Sequence, residues 1–188
     1  MPKLKFTLDR NILIAAKKRE SDVDFILKLF DLHSNGNISI AISLANCVEN
    51  QKDRKNNQSI KDLENMCTEV GLYPVPEFLS YPLDWDMGSW ESSIISQEGF
   101  DLELDIHKIL FPNIVSYRSK EQLKPLQRKV TNAKCDVFAI WGHIYFKRDC
   151  FVSNDRNFHK KSKQLVNIGA KLIATPQQAI EYINNEYA

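Results

Sequence analysis

Residues 135–158 read CDVFAIWGHIYFKRDCFVSNDRNF. Val137, Ile140, Ile144 and Phe146 fall near one side of a helix, with Phe138, Trp141 and Tyr145 beside them. A helix apolar nearly all round belongs deep in a core. Lys147-Arg148-Asp149 makes the turn into a short buried strand, Cys150 to Ser153. An aspartate stands at each end: Asp136, where this helix is expected to begin, and Asp155, just past the strand. A third, Asp9, closes an N-terminal strand in which Leu4, Phe6 and Leu8 alternate with Lys3, Lys5 and Thr7. The expectation is that the fold gathers Asp9, Asp136 and Asp155 around a divalent metal.

Outward from that stretch, the chain alternates strands and helices. Ile12 to Ala16 follows Asp9 as a helix, and a second helix carries Val23, Phe25, Ile26, Leu29, Phe30 and Leu32, capped by Ser21 or Asp22. Ser34-Asn35-Gly36-Asn37 is a turn, and Ile38 to Leu44, ISIAISL, suits a central strand covered on both faces. Residues 45–49 are expected to continue into a helix, and residues 50–62 to form a polar, solvated segment. Ile60, Leu63, Met66, Cys67 and Val70 mark another helix, stopped by Gly71. Pro74, Pro76, Pro82, Gly88 and Gly99 argue against a long regular element in residues 72–104, which hold Trp85 and Trp90. That stretch reads as an ordered insertion over the sheet. Lys120 to Val130 is expected to be a separate helix that Pro125 starts or kinks. Phe158 to Ile168 is a helix with a basic face, ended by Gly169; a short strand from Lys171 to Ala174 and a helix opened by Pro176 close the chain. This order predicts one α/β domain over 1–188, a parallel sheet with helices on both sides.

The chain has 188 residues, 43% hydrophobic and 26% charged, with a net charge of +1. That composition is globular, and no global field marks a nucleic-acid binder, so an anionic partner needs a local basic patch. The start MPKLKFTLDR lacks the apolar core of a signal peptide and no apolar run reaches bilayer length, so a cytoplasmic protein without a membrane partner is expected. Cys47, Cys67, Cys135 and Cys150 are scattered, without zinc spacing, and read as small buried hydrophobes.

Four pieces of the chain carry a resemblance. LDRNILI resembles the opening Asp-x-Asn strand end of PIN-domain proteins, and CDVFAIWGH their third acid at the start of a buried helix. FVSNDRNF is similar to their strand ending in Thr/Ser-x-Asp, and GAKLIATPQQAIEYI to their final strand and proline-led helix. The resemblance implies a three-layer α/β/α sandwich, mostly parallel, with residues 72–104 inserted. It implies a ribonuclease in which Asp9, Asp136 and Asp155 ligate Mg²⁺ or Mn²⁺. Ser153 would support the site, and Asn11 would hold the loop after the first strand. Such proteins are often toxins, so an RNA substrate, an antitoxin protein and a homodimer are the implied partners. The family usually places a Glu after its second strand; here Asn46 follows ISIAISL, with Glu49 one helical turn later. If Asn46 takes that position the site lacks one charge; Glu49 takes it in another register.

Plainer readings stand beside these. Asp9 suits an N-cap, Asp136 a helix start that favours the dipole, and Asp155 a turn. His143 suits a hydrogen-bonded core position, and Asp149 a turn acid paired with Arg148 or a neighbour. Arg156, His159, Lys160, Lys161 and Lys163 form a solvated face by default, although one that begins beside Asp155. The rival function is a PIN-like binding module without turnover, with Trp85 and Trp90 as a partner surface. An aspartyl-phosphate hydrolase using Asp9 fares poorly, because Asn11 stands where that chemistry wants a second acid.

Overall fold

The computed structural model describes residues 3–47, 59–82, 93–114 and 127–187. Five strands form one parallel sheet: β1 (Leu4–Leu8), β2 (Ile38–Ser43), β3 (Glu77–Leu79), β6 (Cys150–Val152) and β7 (Ile173–Ala174), in the spatial order β3-β2-β1-β6-β7. Two further short strands, β4 (Tyr81–Pro82) and β5 (Ser93–Ile94), pair with each other apart from it. The helices are α1 (Arg10–Lys18), α2 (Val23–Ser34), α3 (Ile60–Glu69), α4 (Gln97–Leu110), α5 (Gln127–Tyr145), α6 (Arg156–Asn167) and α7 (Pro176–Glu186). A 3-10 turn, Leu44–Cys47, follows β2.

Strand β1 lies at the centre, and its side chains alternate between two helical layers, as the period of two demands. Phe6 meets Tyr182 of α7, with ring centroids 6.3 Å apart. Thr7 faces the other way, its Oγ1 3.1 Å from Nδ1 of His143 on α5. Helices α1, α2 and α7 pack together on the first face, and α4, α5 and α6 on the second. This is the α/β architecture with covered faces that the alternating elements predict. No helix among the described residues is long and apolar enough to cross a membrane.

Local chemistry accounts for several boundaries. Thr175 and Gln178 form a reciprocal capping box at the start of α7, with Pro176 in the first turn. Gly169, at φ +118°, ends α6 where a Cβ would come 3.0 Å from Ile144. Trp141 is fully buried, stacks on Tyr145 with centroids 4.4 Å apart, and donates its indole N–H to Gly99 O at 2.8 Å. A Cβ on Gly99 would sit 3.1 Å from that indole. The glycine is therefore what lets α4 and α5 approach.

Three expectations need correction. Helix α5 begins at Gln127, so Asp136 lies in its interior rather than at its start. The polar run Thr131-Asn132-Ala133-Lys134 interrupts the apolar pattern but not the helix, because such residues cost helix propensity only fractions of a kcal/mol. Second, residues 72–104 are not simply an insertion: Glu77, Phe78 and Leu79 form the edge strand of the main sheet, in register with Ala41, Ile42 and Ser43. Gly99 lies in the first turn of the 14-residue α4, whose N-cap Ser96 accepts from the Gly99 N–H. Third, the part of residues 45–49 that is described is a 3-10 turn, not an α-helix. The expected polar segment at 50–58, the helix start at 120–126, Pro125, Trp85 and Trp90 lie outside the described residues.

Below the amino ends of the strands sits Arg148, 2% exposed. Its Nη2 donates to Phe6 O of β1 and Ser39 O of β2, each at 3.0 Å, and its Nη1 to Glu77 of β3 at 2.9 Å. Asp149 pairs instead with Lys171 at 2.6 Å and accepts from the Lys5 N–H at 2.8 Å.

Candidate functional site

The strand order reverses between β1 and β6, with β2 and β3 on one side and β7 on the other. In open parallel sheets such a reversal opens a crevice outside the carboxyl ends of the strands, where ligands bind. Here β1 and β6 end level: Leu8 is in register with Val152, and the Asp9 N–H donates to Val152 O at 2.9 Å. The next residue on each strand, Asp9 and Ser153, is thereby brought face to face.

Ser153 Oγ donates to Asp9 Oδ2 at 2.6 Å. The same oxygen accepts from Asn11 Nδ2 at 3.1 Å and from the Asp155 N–H at 3.0 Å. One donor and two acceptor sites are all a hydroxyl has. Ser153, wholly buried, is therefore saturated and acts as an orienting group rather than a nucleophile. Asn11 Nδ2 also donates to Asp9 Oδ2 at 2.8 Å, and its Oδ1 accepts from the Asn154 N–H at 3.2 Å, joining the loops after β1 and β6.

These contacts decide between readings of the acids. Asp9 occupies the N-cap position of α1, yet its side chain makes no capping hydrogen bond and is held by Ser153 and Asn11 instead. Asp155 does cap: its Oδ1 accepts from the Asn157 N–H at 2.7 Å at the start of α6. Asp155→Ala should therefore cost about 1 kcal/mol of stability, the usual loss at a helix N-cap. A urea titration reads it, and an unchanged midpoint would argue that the cap is unimportant.

Asp136 is half-buried on α5. The dipole reading fails for it, since that effect fades beyond the first turn. From Asp136 to the end of α5 the helix climbs about 14 Å at 1.5 Å per residue, close to the roughly 17 Å length of a five-residue strand. As α5 leads to the amino end of β6, Asp136 stands near the level of the carboxyl edge. Helix α5 also packs against the 3-10 turn that holds Asn46.

Asn46 is 2% exposed, and its Nδ2 has no partner among the described residues. Its carbonyl accepts from Arg10 Nη1 at 2.7 Å. Arg10, 1% exposed, is a residue that sequence reasoning missed, because an arginine after a strand end is exposed by default. Another is Asn154, whose Nδ2 donates to Asp22 Oδ2 at 2.6 Å and ties the β6–α6 loop to the α1–α2 turn. Glu49 lies outside the described residues.

The basic stretch of α6 starts at this cluster. His159 Nε2 is 2.7 Å from Ser153 O; a carbonyl only accepts, so Nε2 carries the proton. His143 is the core histidine of the plainer reading: fully buried, edge-on to Phe151, with its pKa lowered to about 3 by burial and then by Arg148. Cys67, Cys135 and Cys150 are buried and in no disulfide. Burial pushes the Cys67 thiol up to about 12 and raises Cys150 as well, so neither offers a thiolate.

Among the described residues, no group of three or more His, Cys, Asp or Glu side chains is arranged to hold a metal ion. The structure brings the Asp9 carboxylate and the Asp155 backbone N–H onto the one Ser153 hydroxyl, while the Asp155 carboxylate caps α6. Carboxylate oxygens are hard ligands of the kind that suits a hydrated Mg²⁺ or Mn²⁺, which takes one or two carboxylates and keeps its waters. They do not suit a soft metal. Compared with known proteins, the chain matches no family model and no curated protein.

Proposed function

We propose that the chain is a PIN-like ribonuclease that hydrolyses RNA phosphodiester bonds at the Asp9–Ser153–Asp155 cluster. One observation carries the reading: the Asp9 carboxylate makes no capping bond and is oriented by the Ser153 and Asn11 side chains at the strand-order reversal. An acid at an N-cap position that forgoes the cap and is clamped by two side chains is poor use of a structural residue and good use of a cation ligand. Asp9 and Asp155 would hold Mg²⁺ or Mn²⁺, with Asp136 as a third acid. The cation supplies Lewis acidity toward a phosphoryl oxygen. Ser153 and Asn11 keep the Asp9 carboxylate in one orientation, and His159 fixes the carbonyl side of Ser153. The cations of α6, Arg156, Lys160, Lys161 and Lys163, provide the local patch that a phosphate backbone requires.

A second reading has its own observation: Asn46, an amide where the resemblance implies an acid, is buried beside the same edge with its Nδ2 unpartnered among the described residues. A weakened site of that kind would bind RNA without turnover. Incubating the purified chain with single-stranded RNA and Mn²⁺ separates the two. Cleavage by the wild type that falls to background in Asp155→Asn supports the nuclease. RNA retained in a gel shift and never cut supports the binding module.

A further inference from the structure

Next to the carboxylate cluster, three loops leave an open cleft of about 680 Å³, within the roughly 300–1,000 Å³ usual for small-molecule sites. Its two walls differ in chemistry. The α1–α2 turn and the first turn of α2 supply Glu20, Asp22 and Phe25, whereas α6 supplies Arg156, His159 and Lys160. The first turn of α7 completes the lining. Opposite charges thus share one cleft, yet neither Glu20, Arg156 nor Lys160 forms an ion pair among the described residues. Asp22 accepts one hydrogen bond, from Asn154, which leaves lone pairs over. Phe25 lines the same cleft and is 36% exposed.

A ligand that satisfies both walls needs an anionic group for α6, whose amino end also favours negative charge. It needs a flat π face for Phe25 and N–H donors for the carboxylates. A nucleotide has all three. We propose that this cleft binds one nucleotide of a single-stranded RNA. Its phosphate lies on Arg156 and Lys160, its base stacks on Phe25, and the Watson–Crick edge of the base turns to Glu20 and Asp22. Unpaired bases are read in this way, by aromatic stacking and by hydrogen bonds to the exposed edge. Carboxylates only accept, so a base with adjacent donors is preferred: guanine, with N1–H and N2–H₂, ahead of uracil, with N3–H alone. The inference rests on the RNA reading above for the polymer, and it adds a base preference beside the cutting site. His159 joins the two, lining the cleft while donating to Ser153 O.

The test is an NMR titration of the intact chain with 5′-GMP, 5′-UMP and inorganic phosphate. GMP should bind severalfold tighter than UMP, and both tighter than phosphate, with shifts centred on Phe25, Asn154 and Lys160. Phe25→Ala should weaken GMP roughly five- to a hundredfold, the range for one stacked base, and leave phosphate unchanged. Arg156→Ala/Lys160→Ala should weaken all three. Phe25 and both cations are solvent-facing, so these variants keep the fold. Equal affinity for GMP and phosphate, or a silent Phe25→Ala, overturns the proposal. RNA cleavage without GMP binding would remove the subsite and leave the nuclease standing; GMP binding without cleavage would do the reverse.

Discussion

Asp9→Asn should lower the rate of RNA cleavage by about 10²-fold or more, the order seen when one preorganised electrostatic group is removed from an active site, with little change in thermal stability. The two readouts separate for a structural reason. An asparagine at position 9 keeps one oxygen to accept from Ser153 and Asn11, so the local network survives. No capping bond is lost, because the Asp9 side chain makes none. What disappears is one negative charge. A cation held there would lose a ligand, and calorimetric titration with Mn²⁺ should show weaker binding in step with the lost rate. Unchanged cleavage would sink the assignment of this cluster. A collapse of the melting temperature alongside activity would instead make Asp9 a structural residue.

The second large effect concerns acid. His143 is neutral in the folded chain, its pKa depressed from 6.5 to about 3 by burial and by the nearby Arg148. The unfolded chain takes up that proton below about pH 6.5, and the folded chain does not. Stability from this group is therefore complete above pH 6.5 and is lost as pH falls toward 3, by up to about 1.4 kcal/mol per pH unit. Between pH 6.5 and 4 the loss should reach about 3 kcal/mol. Asp149, its pKa lowered chiefly by Lys171 and the Lys5 N–H despite burial, contributes stability that fails only below its ordinary value near 3.8. The upper window thus isolates the histidine. His143→Leu should flatten the decline there, as read by urea midpoints across pH; an equally steep decline would contradict the origin given to it.

Much of the framework was legible because each piece carried its own signal. ISIAISL is apolar on both faces and becomes β2, and Thr175-Pro176 announces α7 by cap and N1 proline together. Strand β3 had no such mark. Its three residues follow two prolines and are a strand only through pairing with β2, a tertiary fact. Gly99 was misread for a similar cause, since what it permits is the approach of an indole 42 residues away in sequence. At the site, Asp9, Asn11, Ser153 and Asp155 could be singled out because strand ends and turn residues are visible in a one-dimensional pattern. That Asp9 forgoes its cap could not, because Asp at that position is an N-cap by every local rule. Arg10 was invisible too: its role depends on the Asn46 carbonyl, which only the fold brings near.

The guanidinium of Arg148 grips β1, β2 and β3 from a position late in the chain. Synthesis runs from the amino terminus, so the first three strands emerge from the ribosome well before the residue that fastens them. Strand β6, the inner neighbour of β1, follows directly after it. A nascent polypeptide halted before residue 148 consequently carries an unclosed sheet with a bare central edge. Chaperone capture should be strongest at that length, and release should follow once β6 and β7 have been translated.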